Sequence, residues 1–367
     1  MSGEPLLSVR NLTTEFETEE GIVHAVDGID FDVYEGETLC IVGESGSGKT
    51  VASESITRII QMPPGRIEGE VRYRGRDIGE MNDRELRELR GGNIAHIFQN
   101  PQDALNHCYT VGWQIVEAIR LHEDVSKKAA RERAIELLDR VGIPEATARF
   151  DDYPHEFSGG MKQRAMIAMA LATEPDLLIA DEPSTALDVT IQAQILRLLM
   201  ELQEDLNMSI LLITHDLGVV AEVADRVVVM YAGKVMEQGS VHDVFENPAH
   251  PYTQALLACL PGRGERTEGI EGSLPDPTDP PDGCRFAERC PHAIGDCTSG
   301  DQPPLEPVDG DGDHRASCIF YQEGYDSATV SGNRPDLAAP DGVRTDGGPL
   351  DGSDGGPRDT TEGGDDR

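Results

Sequence analysis

The stretch that decides the fold is Gly43-Glu44-Ser45-Gly46-Ser47-Gly48-Lys49-Thr50. Apolar residues 38–42 precede it and predict a buried strand, and residues 51–60 can follow it as a helix. A strand, a glycine-rich turn and a helix form the arrangement that a phosphate-binding loop requires. The turn can direct several N–H groups at one anion, which the helix N-terminus also attracts. The alternative is a glycine-rich turn that matches by chance.

Two side chains of this loop carry specific chemistry. Lys49 can reach the outer phosphates of a nucleotide, and the Thr50 hydroxyl can bind Mg²⁺. Because both residues stand at the positions that this chemistry needs, the sequence predicts ATP and Mg²⁺ as cofactors.

The length of the chain, 367 residues, suffices for one large α/β domain and an appendage. No apolar run approaches the roughly 20 residues that cross a membrane. The N-terminus also lacks the basic and apolar regions of a signal peptide. We therefore expect a cytoplasmic chain that associates with a membrane only through a partner.

The charge balance is strongly acidic, with 68 acidic and 31 basic residues and a net charge of −37. Repulsion between so many negative charges weakens a compact state unless salt screens it. This favours a protein adapted to a salt-rich cytoplasm, and an ordinary soluble acidic protein is the alternative. The charge argues against nucleic acid as a partner, because a phosphate backbone needs a basic face.

Short apolar runs alternate with helical patterns along most of the chain, which predicts an α/β fold with a mainly parallel sheet. The predicted strands are residues 6–12, 29–33, 38–42, 66–73, 93–98, 176–180, 209–214 and 226–230. The predicted helices after the loop are residues 86–92, 114–121, 127–141, 161–172, 190–206 and 253–260. The two between 100 and 160 form a helical insert in the core.

Composition divides the chain into three parts. Residues 1–245 form the predicted nucleotide-binding domain. Residues 246–322 form an extension rich in proline that carries four cysteines. Residues 323–367 contain mainly glycine, aspartate and proline, and we expect them to be a disordered acidic tail.

Polar side chains follow three of the predicted strands. Asp181 and Glu182 end one strand, where Asp181 can hold Mg²⁺ and Glu182 can polarise the attacking water. His215 follows another strand and can position that water, although a lone histidine is more often structural. Gln99 ends a third strand and can ligate Mg²⁺ or simply cap the chain. The carboxyl ends of parallel strands line the ligand crevice, so these side chains should lie together.

A second anion-binding segment lies at residues 158–163. Ser158 is a good helix N-cap, and Gly159 and Gly160 expose the backbone of the helix that follows. One ATP needs only one phosphate loop, so this second segment suggests a composite site in a dimer.

Together these segments resemble the ATP-binding subunits of ABC transporters. Residues 43–50 are similar to the Walker A motif, 177–182 to Walker B, 158–163 to the signature motif and 186–188 to the D-loop. Gln99 is similar to the Q-loop residue, His215 to the switch histidine, and Phe16, in the turn after the first strand, to the aromatic residue that stacks on adenine. The resemblance implies an ABC-type P-loop NTPase fold and ATPase activity. It also implies a second ATPase subunit, so that Ser158, Gly159, Gly160 and Gln163 serve the ATP of that partner.

Three further segments, residues 109–112, 153–155 and 250–257, resemble the dipeptide and oligopeptide importer branch. That resemblance implies a paralogous second ATPase subunit, two permease subunits and an extracellular binding protein, at the cytoplasmic face of the membrane. Nickel or sugar import is the alternative within the branch, and a soluble ABC ATPase of DNA repair is a more distant one. The chain departs from the family pattern at Met161, where many members have glutamine. It departs from the branch pattern at His107, where the branch often has proline.

The cysteines divide into isolated residues and one group. Cys40, within a core strand, predicts a small buried hydrophobe. The group comprises Cys284, Cys290, Cys297 and Cys318 in the proline-rich extension, which needs an additional restraint to fold. A cytosolic setting disfavours disulfides, whereas four thiolates suit a [4Fe–4S] cluster or zinc. The branch resemblance favours the cluster, and unligated packing or disulfides are the other possibility.

Overall fold

We describe the fold from a computed structural model of the chain. The structure describes residues 3–99, 104–183, 188–260, 270–308, 310 and 312–331. Within these ranges two sheets are flanked by helices. Their strands are β1 (Leu7–Thr18), β2 (Gly21–Val33), β3 (Thr38–Val42), β4 (Gly65–Tyr73), β5 (Arg76–Asp77), β6 (Ile94–Ile97), β7 (Leu177–Asp181), β8 (Ser209–Thr214), β9 (Arg226–Tyr231), β10 (Lys234–Ser240), β11 (Glu306–Pro307) and β12 (Arg315–Ala316).

The larger sheet has the strand order β11-β12-β10-β9-β3-β8-β7-β6 among the described residues. Its five strands from β9 to β6 are parallel, while β10, β11 and β12 add antiparallel pairs at one edge. The prediction of a mainly parallel sheet is therefore confirmed. Strand β10 was missed because its mixture of apolar and charged residues lacks the continuous apolar run of the buried strands.

The core lies on both faces of this sheet because successive side chains of a strand point to opposite sides. In β3, Cys40 and Val42 join the cluster that includes the helical insert and the extension. Leu39 and Ile41 join the other cluster, under the smaller sheet. Cys40 is completely buried, as the sequence predicted.

The smaller sheet is antiparallel, in the order β2-β1-β4-β5. Strands β1 and β2 are longer than predicted. Strand β1 continues to Thr18, and β2 already begins at Gly21. Phe16 therefore lies within β1, paired with Val23 and Gly65, and not in a turn. The glutamates among residues 13–20 concealed this continuation, since backbone pairing with two neighbours outweighs the low strand propensity of glutamate.

Seven of the eleven described α-helices overlap helices that the sequence predicts. Those described are α1 (Lys49–Ile56), α2 (Asp83–Leu89), α3 (Val111–His122), α4 (Lys127–Arg140), α5 (Ala146–Arg149), α6 (Gly159–Ala170), α7 (Val189–Leu206), α8 (Leu217–Val223), α9 (Val241–Glu246), α10 (Pro251–Ala258) and α11 (Ala328–Ser331). Helices α3 to α5 form the described part of the insert. No helix in the described ranges is both long and apolar enough to cross a membrane.

The extension is joined to the core through β12, which pairs with β10. Glu237 of β10 is completely buried. Its carboxylate accepts hydrogen bonds from the N–H groups of Ala249 and His250 at 2.9 and 2.7 Å, and His314 Nε2 lies 2.8 Å from it. Three partners for one buried carboxylate explain how a segment with few apolar residues keeps one position.

The prediction of a disordered tail is wrong for residues 323–331. Helix α11 lies in this segment, Val330 is completely buried, and the Gln254 side chain donates to the Val330 carbonyl at 3.0 Å. One buried apolar residue and one buried hydrogen bond hold this end of the extension in place. The rest of the predicted tail, residues 332–367, lies outside the described residues.

Candidate nucleotide-binding and hydrolysis site

The phosphate loop connects β3 to α1, and two of its glycines have no room for a side chain. A Cβ atom on Gly43 would lie 2.1 Å from the Met230 carbonyl oxygen, and one on Gly48 would lie 2.2 Å from that of Ala25. Both glycines also have positive φ angles, 156° and 97°. The loop is thus seated between β9 and β2 in a conformation that only glycine adopts without strain.

Lys49 lies inside this loop. Its Nζ donates to the carbonyl oxygens of Gly43 and Glu44 at 2.9 and 2.8 Å, and it lies 3.4 Å from Ser47 Oγ. Burial lowers the pKa of Lys49, and the nearby carboxylates, Glu182 and Asp181 foremost, oppose this shift. The ammonium group is therefore held in the concavity where a phosphate needs it. Ser45 and Gly46 are exposed at the rim, and Ser47 is buried.

Asp181 and Thr50 form the candidate Mg²⁺ site. Their side chains are hydrogen-bonded, and burial raises the pKa of Asp181. Asp181 Oδ1 is buried and has no hydrogen-bond partner among the described residues. A buried carboxylate oxygen without a partner, beside a hydroxyl group, suits a hard cation with oxygen ligands. These residues fit the predicted ion.

Glu182 connects the ends of three strands. Gln99 Nε2 donates to Glu182 Oε2 at 2.8 Å, and His215 Nδ1 lies 2.8 Å from Glu182 Oε1. The Glu182 N–H also donates to the Ile213 carbonyl at 2.9 Å, while its φ angle is +45°. A left-handed glutamate costs on the order of 1 kcal/mol. The structure therefore brings together three of the four polar residues that the sequence placed at strand ends, Gln99, Glu182 and His215.

The signature segment is at the N-terminus of α6. Ser158 is exposed, and its hydroxyl caps the helix by accepting from the Met161 N–H at 3.3 Å. Gly160 is buried, and a Cβ atom there would lie 3.2 Å from Ile191. Of the D-loop, residues 186 and 187 lie outside the described residues, and Asp188 caps α7.

Gln163 does not fit the role predicted for it. It is completely buried, and its amide atoms have no partner among the described residues. One and a half turns separate it from Ser158, so it lies on the inner face of the helix. Gln163 therefore does not reach the surface where a partner's ATP would bind.

Phe16 is half-buried near Gly65, where a Cβ atom would lie 3.4 Å from its ring. Its partner in register, Val23, lines the cavity beside the phosphate loop. Directly paired residues point to the same face of a sheet. Phe16 thus lies beside the Val23 end of the cavity, although it does not itself line it.

Sequence reasoning missed the residues with which the extension supports the phosphate loop. Tyr252 accepts a hydrogen bond from the Glu44 N–H at 2.9 Å, and Arg289 forms an ion pair with the Glu44 side chain at 3.1 Å. The Arg289 side chain is only 6% exposed. The sequence feature that could have drawn attention to Arg289 is its place directly before Cys290, in a chain with few basic residues.

The four grouped cysteines converge in the extension. Cys284, Cys297 and Cys318 are buried, and Cys290 is partly buried. Burial, with smaller contributions from the other three thiols, raises the pKa of Cys318 to about 12. Within the described part of the chain, no three His, Cys, Asp or Glu side chains form a group that could hold a metal ion.

Comparison with known proteins identifies this arrangement. Residues 26–185 match the family described as "ABC transporter". The chain is 48% identical over 337 residues to the "Dipeptide transport ATP-binding protein DppD" of Bacillus subtilis, which covers 91% of this chain and 100% of that protein. The chain belongs to the ABC transporter family. It is an ATP-binding subunit and an ATPase of that family.

Two further comparisons refine the assignment. Residues 236–297 match the family "Oligopeptide/dipeptide transporter, C-terminal region". The DppD protein of Escherichia coli K12 is 51% identical over 320 residues, covering 86% of this chain and 96% of that one. The cassette MJ0796, solved as a dimer bound to ADP and Pi, has a TM-score of 0.58 and 28% identity, covering 64% of this chain and 98% of the cassette. The predicted family, branch and cassette fold are confirmed.

Proposed function

We propose that this ABC ATPase energises the uptake of dipeptides or oligopeptides. The observation that carries the proposal is the identity of about one half to dipeptide transport ATP-binding proteins, which continues through the extension. Import of nickel or a sugar by the same architecture is the second candidate.

The residues of the site have separate proposed roles in ATP hydrolysis. Residues 43–50 hold the phosphates of ATP, and Thr50 and Asp181, with Gln99 as a further oxygen donor, hold Mg²⁺. When bound there, Mg²⁺ would neutralise the charge that develops on the γ-phosphoryl group of ATP. Glu182 accepts the proton of the attacking water at a carboxylate oxygen. His215 Nδ1 and Gln99 Nε2 fix that carboxylate from either side.

We also propose that the complete site is shared between two subunits. Ser158 is exposed at the start of α6, with Gly159 beside it and Gly160 tightly packed below, so the helix N-terminus is presented to a partner's ATP. The partner is a paralogous ATPase subunit. Met161 replaces the polar side chain common in the family, which leaves backbone N–H groups and Ser158 as the main contacts.

Exposed apolar side chains support contact with permease subunits at the cytoplasmic face of the membrane. Phe98 is 40% exposed directly before Gln99, and Tyr109 and Tyr153 of the insert region are 46% and 41% exposed. Large exposed aromatic groups near a site are typical of protein contact surfaces. An extracellular binding protein completes the proposed importer.

The four grouped cysteines are proposed to bind a [4Fe–4S] cluster, with zinc as the alternative. Four thiolates are the usual ligands of such a cluster. The thiols lie near enough to affect one another's pKa values, although no three of them in the described ranges form a group that could hold a metal ion.

Transport by the whole importer tests the proposed function. We expect liposomes that contain this chain, its paralogue and the permeases to accumulate labelled dipeptide when ATP and the binding protein are supplied. A complex that carries Lys49→Ala in this chain is the control for ATP dependence. Accumulation of nickel or sugar without peptide would establish the second candidate.

A further inference from the structure

A segment of the extension borders the nucleotide cavity. The cavity beside the phosphate loop has a volume of about 800 Å³, and its walls include residues 273–277 as well as residues 45, 46 and 48–50. We propose that residues 270–278, named here the strap, are part of the nucleotide-binding site and contact the ribose and base of ATP. This inference rests on ATP binding at residues 43–50 and extends the site to a part of the chain outside the ABC core.

The first end of the strap is fixed by Arg289. Its Nη2 donates to the Ile270 carbonyl at 2.9 Å and its Nε to the Glu271 carbonyl at 2.8 Å. The same guanidinium contacts Glu44 of the phosphate loop at 3.1 Å. One buried side chain therefore holds the strap and the phosphate loop at a fixed distance from each other.

The other end of the strap is fixed to β2. The His24 N–H donates to the Pro277 carbonyl at 2.9 Å. Close by, a Cβ atom on Gly21 would lie 3.9 Å from the Cβ of Thr278. His24 follows Val23, whose strand partner is Phe16. Pro277 is thus attached at the base end of the cavity.

Leu274 lies between these two ends, over the phosphate loop. Its Cδ1 is 3.3 Å from the position of a Cβ atom on Gly46. The strap therefore extends from the phosphate end of the cavity, at Gly46, to the base end, at His24. A nucleotide bound by the phosphate loop with its base toward Val23 would lie along this segment.

The composition of the strap suits contact with ribose and base. Leu274, Pro275 and Pro277 offer apolar surface on the cavity wall. The prolines restrict the backbone before ligand binding, which reduces the entropy that is lost on binding.

The cavity wall also carries positive charge. Arg285 lines the cavity and forms an ion pair with Asp27, and Lys234 forms a second ion pair with the same carboxylate. Two cations therefore lie around one anion here, although the chain as a whole is strongly acidic.

Calorimetric titration with ATP and Mg²⁺ tests the inference on the full-length chain, in a Glu182→Gln background that slows hydrolysis. We expect Leu274→Ala to raise the Kd by about fivefold to tenfold, since it removes buried apolar contact with the nucleotide. Leu121→Ala, the same change at a leucine that is 78% exposed, should leave the Kd unchanged. A parental or lower Kd in Leu274→Ala would overturn the role of the strap.

Two further measurements separate the possible failures. If Lys49→Ala binds ATP as tightly as the parent, the phosphate loop is not the binding site and the proposed site is wrong. If Lys49→Ala loses binding but Leu274→Ala does not, only the strap inference fails. In the unsubstituted chain, ATP should slow hydrogen exchange in peptides that cover 270–278. Unchanged or faster exchange there contradicts the inference even if Leu274→Ala does not fold.

Discussion

His215 Nδ1 lies 2.8 Å from Glu182 Oε1, which joins the ends of β8 and β7 through their side chains. The Glu182 side chain is 14% exposed and that of His215 is 61% exposed. The histidine thus covers the carboxylate from the open side of the site, while Gln99 holds its other oxygen. Glu182 is therefore oriented before any substrate arrives, as a general base requires.

Replacement of the proposed base, Glu182, should separate ATP binding from hydrolysis. We expect Glu182→Gln to bind ATP with parental affinity but to lower kcat by about a hundredfold or more, because the amide cannot accept the proton of the water. The variant should accumulate as an ATP-bound closed dimer, seen by light scattering in the assembled complex. Glu222→Gln, at an exposed glutamate of α8, is the matched control. Rapid turnover by Glu182→Gln would refute the role of Glu182.

Removal of the histidine should leave the fold intact and weaken orientation of the base. Since His215 is mostly exposed, we expect His215→Ala to change the melting temperature little while kcat falls about tenfold or more and the Kd for ATP stays the same. His242→Ala, at an exposed histidine of α9, should change neither quantity. A rise in Kd with unchanged kcat would instead indicate that His215 acts only in binding.

Much of this site could be predicted because its residues stand at the ends of strands that are easy to recognise. The runs at 39–42, 177–180 and 210–213 are continuously apolar, as buried parallel strands are. Their order in one parallel sheet brings Lys49, Asp181 and His215 to the same edge. No knowledge of side-chain contacts was needed for this step.

The parts that could not be predicted depend on contacts distant in sequence or on helical phase. Arg289 and Glu44 are separated by 245 positions, and no periodic pattern marks their pairing. Gln163 belongs to a conspicuous polar segment, yet the 3.6-residue turn carries it to the inner face of α6. The helix at 328–331 is stabilised by burial of Val330 against the extension and not by its own composition.

The metal content of the extension is open to direct assay. We expect the chain purified without oxygen to contain about four irons, bound by the grouped cysteines. Cys284→Ser should lose the iron because it removes one ligand, whereas Cys108→Ser, at an exposed cysteine outside the group, should retain it. One zinc per chain would establish the alternative, and neither metal above trace would exclude both.

Stability should rise with salt. The net charge of −37 makes the folded chain repel itself, and at about 1 M salt the Debye length is only ~3 Å. We therefore expect the melting temperature to increase as KCl is raised from low to molar concentration. A neutral osmolyte at equal osmolarity serves as the control for solute exclusion. A melting temperature that falls with KCl would reject adaptation to a salt-rich cytoplasm.

His250 should make the fold sensitive to acid. It is 1% exposed at the start of α10, and its Nδ1 accepts a hydrogen bond from the Tyr252 N–H at 3.0 Å. Burial lowers the pKa of His250 to about 3. The ordinary value in an unfolded chain is about 6.5. As the pH falls below about 6.5, the unfolded chain therefore binds a proton that the folded chain does not, and the free energy of unfolding decreases.

The expected loss from His250 alone is about 2 kcal/mol between pH 7 and pH 5. His250→Asn retains a side-chain oxygen that can cap the helix, so it should remain folded and remove this part of the pH dependence. Urea unfolding of parent and variant at both pH values measures the difference. His242→Asn, at an exposed position, should keep the parental slope. If His250→Asn loses as much stability as the parent between pH 7 and pH 5, His250 is not the group that makes the fold acid-sensitive.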